Sequence, residues 1–202
     1  ITEVDFYQDQ VRLLQYPFIS PLSTSSAIGF YRYFIVDTLN VGRDRCYRLD
    51  FTPNNPQDFG FSGSLYVRAD SSWRLRRAEI GIPTRSDVNF VEKMDIDQEY
   101  VSLSTGEQIC SKNRMIMQLK LTSYLSRILV DYNVTYSDWS FDPIPDEDIE
   151  FMGDEKFEKG AKARSNDYWA ENRPDTLSYA QSNVAVMKRR FVDQPAVKAA
   201  IY

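Results

Sequence analysis

Histidine is absent from all 202 residues of this chain. That removes the commonest general base and the commonest transition-metal ligand together. A nucleophilic serine would need a Lys or a carboxylate as its base. Ser111 and Lys112 are adjacent, but they lack the S-x-x-K spacing. Cysteine is nearly absent: Cys46 and Cys110 stand alone and form no metal motif. They are expected to be free, buried thiols, with a disulfide the alternative in an oxidising compartment. No run approaches 18 apolar residues, so nothing reads as a membrane-spanning helix. Repeats and low-complexity tracts are missing too. No initiating Met or signal-peptide pattern precedes ITEVDFYQDQ, and the chain stops at VKAAIY, as expected of a piece of something longer.

Positive charge is in short supply, with 24 Lys and Arg against 29 Asp and Glu. Phosphate binding needs clustered cations, so a nucleic-acid partner is not expected. The two basic clusters, Arg43/Arg45/Arg48 and Arg74/Arg76/Arg77, read as solvated strand faces, with docking to an acidic partner or anionic lipid as the alternative. The segment Asp146–Glu155 holds six acidic residues in ten. Calcium takes such oxygens, but an EF-hand loop needs glycine at its sixth position, where Phe151 stands. A solvated linker is the expectation, with no metal and no cofactor. Asp95, Asp97 and Glu99 share one strand face, which reads as wet surface ahead of paired catalytic carboxylates. No catalytic residue is singled out. Asn133-Val134-Thr135 fits the N-glycosylation sequon inside a strand.

What is abundant is aromatic residues, 14% of the chain, and strand-like alternation. Residues 1–29 carry Pro17 and Pro21, which break a helix begun around Asp9–Gln15 and leave a covering loop. Strands are expected over Phe30–Leu39, Cys46–Thr52, Gly63–Ala69, Trp73–Ile82, Val88–Leu103 and Ile109–Thr122. The clearest alternation is Ile128, Val130, Tyr132, Val134 and Tyr136, a set expected on one mostly buried face of a last strand. Short turns between these strands imply an antiparallel meander. After Phe141 the pattern turns helical, with a short helix over Asp167–Arg173. A capping box at Ser178–Gln181 precedes an apolar stripe of Leu177, Ala180, Val184, Met187 and Phe191. The division is therefore 1–145, a sheet domain with an N-terminal helix and loop, and 146–202, an acidic linker and C-terminal helices.

The segment Asp58–Val67, with Ile1–Leu14, Phe18–Pro21, Cys46–Leu49, Val88–Val91, Tyr168-Trp169, Arg173-Pro174 and Leu177-Ser178, resembles a known group. It is similar to the central region of uncharacterised Bacteroidetes outer-membrane proteins that carry an N-terminal carboxypeptidase-regulatory-like domain. The resemblance implies the periplasm, association with an outer membrane, and neighbouring domains of a longer parent chain. It implies no peptidase. The strand-turn-strand pattern of Gly63–Ile82 also resembles the LolA/LolB lipoprotein-sorting fold. That resemblance implies an α+β fold: a strongly curved antiparallel half-barrel of about seven strands, with helices covering its concave face.

A strongly curved sheet has a concave face wider than its own side chains fill. Leu65, Val67, Met115, Met117, Tyr132 and Tyr136 are the expected lining of such a cleft, with methionine as its adaptable part. The expected function is a non-catalytic periplasmic binding or adaptor domain of an envelope protein, holding a lipid, a lipidated protein or an apolar partner segment. The alternatives are a structural spacer with a filled core and a carboxylate-based hydrolase.

Overall fold

The computed structural model describes residues 4–13, 16–82, 91–120, 128–137, 139, 141–142, 164–173 and 176. The chain divides into two units, Ile1–Ser140 and Phe141–Tyr202.

The first unit is built from alternating segments that become strands. β1 (Gln10–Leu13) and β2 (Tyr16–Ile19) form a small hairpin, and α1 (Ala27–Phe30) is one helical turn. Seven strands follow: β3 (Tyr31–Val41), β4 (Asp44–Pro53), β5 (Ser62–Arg68), β6 (Leu75–Ile82), β7 (Val91–Ser102), β8 (Gln108–Leu119) and β9 (Ile128–Thr135). They lie side by side in chain order, and every pairing is antiparallel. This is the meander that the short turns imply. Gly42 shows how tight those turns are. Val41 pairs with Asp44, which leaves Gly42 and Arg43 as the whole loop, and Gly42 supplies the positive φ of 63° that such a loop demands. Gly63 has a different reason. A Cβ there would collide with the backbone carbonyl of Glu79 on β6.

Side chains alternate between the two faces with period 2. Leu65, Ala78, Gln98 and Asn113 form one cross-strand row, and Ile80, Ile96 and Met115 form the next. All seven are buried. Against this face pack Val4, Phe6, Val11, Leu13, Phe18 and Ala27 from the N-terminal segment. Aromatic rings dominate the contact: Phe61 meets Phe18 at 4.8 Å, stacked, and Phe6 at 5.5 Å, edge-on. Tyr31 and Tyr33 anchor the same segment by donating to the carbonyls of Ile19 (2.6 Å) and Pro21 (2.7 Å). Burial pushes the Tyr33 phenol up to about 12 and raises that of Tyr31 as well, so both stay protonated as donors.

Two buried amides complete the attachment. Gln98 Nε2 donates to the Val4 carbonyl at 2.6 Å and reaches Asn113 Oδ1 at 3.4 Å, while Tyr100 OH donates to Gln98 Oε1 at 2.7 Å. A buried polar group without a partner is costly. Gln98→Ala removes the buried donor to the Val4 carbonyl and the acceptor of the Tyr100 hydroxyl, so it is expected to cost about 1–3 kcal/mol. Urea denaturation followed by circular dichroism reads this directly. A midpoint unchanged from wild type would show that water replaces the amide freely.

Several expectations are corrected. The segment around Asp9–Gln15 contains β1 in place of a helix: Val11 and Leu13 are buried while Gln10 and Arg12 are exposed, a period of 2. The sheet is open and not strongly curled, because β3 and β9 remain separate edges. Among the described residues, the apolar face is covered by a hairpin, loop and single helical turn, and the helix expected over the stripe 177–191 lies outside them. The Ile128–Tyr136 set does share one face, but Val130, Tyr132, Val134 and Tyr136 are half-buried and Ile128 is exposed. β9 is the last strand of the sheet, with β8 as its neighbour on one side. β6 begins at Leu75 because Trp73 turns to a positive φ of 50°. Both cysteines are free thiols, Cys46 buried and Cys110 partly so.

In the second unit the described helix is α2 (Asn166–Asn172). Ser165 caps it, its hydroxyl accepting from the Tyr168 N–H at 3.1 Å. The acidic segment and the apolar stripe of 177–191 lie outside the described residues. No helix among the described residues is long and apolar enough to cross a membrane.

Candidate functional site

Five of the six expected cleft residues, Leu65, Val67, Met115, Met117 and Tyr132, lie on the apolar face of the sheet, and Tyr136 stands just past the end of β9. Leu65 on β5 and Met115 and Met117 on β8 are buried within the core that includes the N-terminal segment. Val67, Tyr132 and Tyr136 are half-buried. The structure brings part of the set together through strand pairing: Met115 sits opposite Tyr132, and Met117 opposite Val130. Coverage of this face therefore changes across the sheet. It is sealed at Leu65, Ala78, Ile80, Ile96, Met115 and Met117 on β5 to β8, and half open on β9.

The opposite face is polar, and its charges are joined across the strands. Arg77 grips Asp97 with two bonds, Nε–Oδ1 at 2.9 Å and Nη2–Oδ2 at 2.6 Å, and reaches Glu79 Oε1 at 2.9 Å. The hydrogen bonds from Asp97 raise the already high pKa of Arg77 further. Glu79 also accepts from the Tyr66 hydroxyl at 2.9 Å. Arg48 holds Asp50 at 2.8 and 3.2 Å, and Ser64 donates to the same carboxylate at 2.6 Å. Partial burial pushes Asp50 up, but Ser64 and Arg48 outweigh it and keep the carboxyl below its usual range. Lys93 meets Asp95 at 2.6 Å, and Arg114 meets Asp131 at 3.0 Å.

A depression of about 540 Å³ lies among these residues, over Gly63 and Gly81, where side chains are missing. Asp95, Asp97 and Glu99 do share this face, half-buried. Each has a cation beside it: Lys93 for Asp95, Arg77 for Asp97, and Arg76 at 3.8 Å for Glu99, with Arg77 shared between Asp97 and Glu79. Of the basic clusters, Arg48, Arg76 and Arg77 are taken up in such pairs, Arg76 bonding Asp44 at 3.1 Å. No group of three metal-ligating side chains occurs among the described residues.

One feature escaped the sequence reading. On β3, the edge of the sheet, Phe34, Ile35 and Val36 are consecutive and exposed. The signal was present: in a meander the first strand is an edge, and Phe30–Leu39 was the first strand of the main sheet expected. Sequence similarity adds one affiliation. No curated protein and no solved structure matches the chain. The profile of DUF5686, a family of unknown function, matches residues 1–139, more than half of the sequence, and the chain belongs to that family.

Proposed function

We propose that this domain is a non-catalytic binding or adaptor module of a cell-envelope protein, working on the periplasmic side of an outer membrane. Its ligand is an apolar chain, a lipid acyl group or an apolar segment of a partner, lying along the uncovered end of the sheet's apolar face. The observation that carries this reading is the gradient of coverage across that face. Leu65, Met115 and Met117 are sealed, yet Val130, Tyr132 and Val134 continue the same surface half-exposed on β9, with half-buried Tyr136 just beyond its end. An apolar strip bordered by tyrosine hydroxyls suits a ligand with an apolar body and a polar end. The polar face supports the non-catalytic part, since its carboxylates are held in ion pairs with neighbouring cations.

Native mass spectrometry of the purified protein, with titration of a fluorescent fatty acid, tests the reading. Co-purified lipid, or saturable probe binding weakened by Val130→Asp, is the expected result. Protein that carries no lipid and binds no probe would leave the structural spacer in its place.

A further inference from the structure

The edge strand β3 is the least protected part of the described sheet. It is 11 residues long and, among the described residues, pairs with β4 on one side alone. An unpaired edge offers alternate N–H and C=O groups to any extended chain, and proteins usually blunt it with charge. Here the middle of the edge is apolar: Phe34, Ile35 and Val36 are 52%, 71% and 51% exposed. The charges lie at either end of this run, Arg32 before it and Asp37 after it.

Neither charge has an ion-pair partner among the described residues. Arg32 donates to the Asn54 carbonyl at 2.9 Å, and the Asp37 carboxylate accepts from the neighbouring Thr38 N–H at 2.7 Å. Residues five apart on a regular strand face opposite sides. A bulge between Ile35 and Asp37 changes that here. Arg32 stands opposite Thr52 and Asp37 opposite Arg48, both on the polar side of β4, so the two charges project from one face.

We propose that β3 pairs antiparallel with β3 of a second copy, joining two seven-stranded sheets about a two-fold axis near Phe34 and Ile35. An isologous contact requires a surface complementary to itself. This one is: antiparallel pairing sets Arg32 of each copy beside Asp37 of the other, twice, on the same face. Between the two ion pairs, Phe34, Ile35 and Val36 of one copy cover those of the other. An unrelated strand would satisfy the backbone and leave both charges unmatched. The inference is independent of apolar-ligand binding at β9, at the far end of the sheet.

Sedimentation velocity of the purified chain over a concentration series tests it, with circular dichroism confirming that each variant is folded. Wild type is expected to be dimeric, and Ile35→Lys monomeric. Arg32→Asp and Asp37→Arg each place like charges together at both symmetric contacts. Each is expected to raise the dimer dissociation constant at least about tenfold. The double variant exchanges the charges and is expected to restore dimerisation. A monomeric wild type would overturn the proposal. So would a dimer indifferent to Ile35→Lys, or a folded double variant that stays as weak as the single ones. Fatty-acid binding by the monomeric Ile35→Lys variant reads the β9 site separately, so failure of one reading leaves the other measurable.

Discussion

Replacing Phe61 with alanine is expected to lower the stability of the Ile1–Ser140 unit by about 3–5 kcal/mol, the range for truncating a buried aromatic ring. Phe61 has 0% of its surface exposed and stands just before β5. Its ring packs on Phe18 and Phe6, so it joins the main sheet to the N-terminal segment. Its N–H donates to Tyr31 OH at 3.2 Å, and Tyr31 OH donates in turn to the Ile19 carbonyl. The substitution keeps that backbone donor and removes the ring alone. The loss should therefore appear as a lower urea midpoint, with the spectrum of the folded sheet retained at zero urea. A change below about 1 kcal/mol, the low end for core truncations, would mean that the segment rests loosely on the sheet. Leu65, Ala78 and Ile80 would then lack their cover.

The strands were legible because alternation is a local signal. Tyr47, Leu49 and Phe51 against Arg48 and Asp50 announce the two faces of β4 without knowledge of its neighbours. Turn residues such as Asn40–Asp44 and Ser104–Glu107 mark where each strand ends. Consecutive strands with short turns then give the order of the sheet. What stayed hidden depends on partners far along the chain. Met115 lies in one core cluster with Phe6 and its neighbours, which belong to a segment whose two prolines suggest a broken helix. In such a short stretch, the alternation of Val11 and Leu13 carried the truer message. Charge pairing on the polar face is equally non-local: Arg77 finds Asp97 because β6 and β7 align in one register. A single-strand reading sees only a wet side. Alternation places Leu65, Met115, Met117 and Tyr132 on one face, while the degree of filling can be read only from what lies across it.

Met115 decides between a filled core and a lined cleft. Its side chain is 1% exposed, set between Ile96 on β7 and Tyr132 on β9. If that space is packed, Met115→Ala leaves a cavity and is expected to cost about 2–5 kcal/mol. Met115→Leu nearly conserves volume and should cost less than about 1.5 kcal/mol. If instead the methionine lined a roomy cleft, alanine would remove few contacts and the two variants would unfold at similar urea concentrations. Met117→Trp extends the comparison one row along, where Met117 lies between Met94 and Val130. Met117 is 4% exposed, and enlarging a side chain in a packed core is expected to destabilise by about 1–3 kcal/mol. Fatty-acid titration gives these stabilities a functional meaning. Binding retained in Met115→Leu and lost in Val130→Asp would put the ligand on the β9 strip, with the methionines as its floor. Binding lost in Met115→Leu, at full stability, would move the ligand beneath the N-terminal segment and overturn the reading of that region as sealed core.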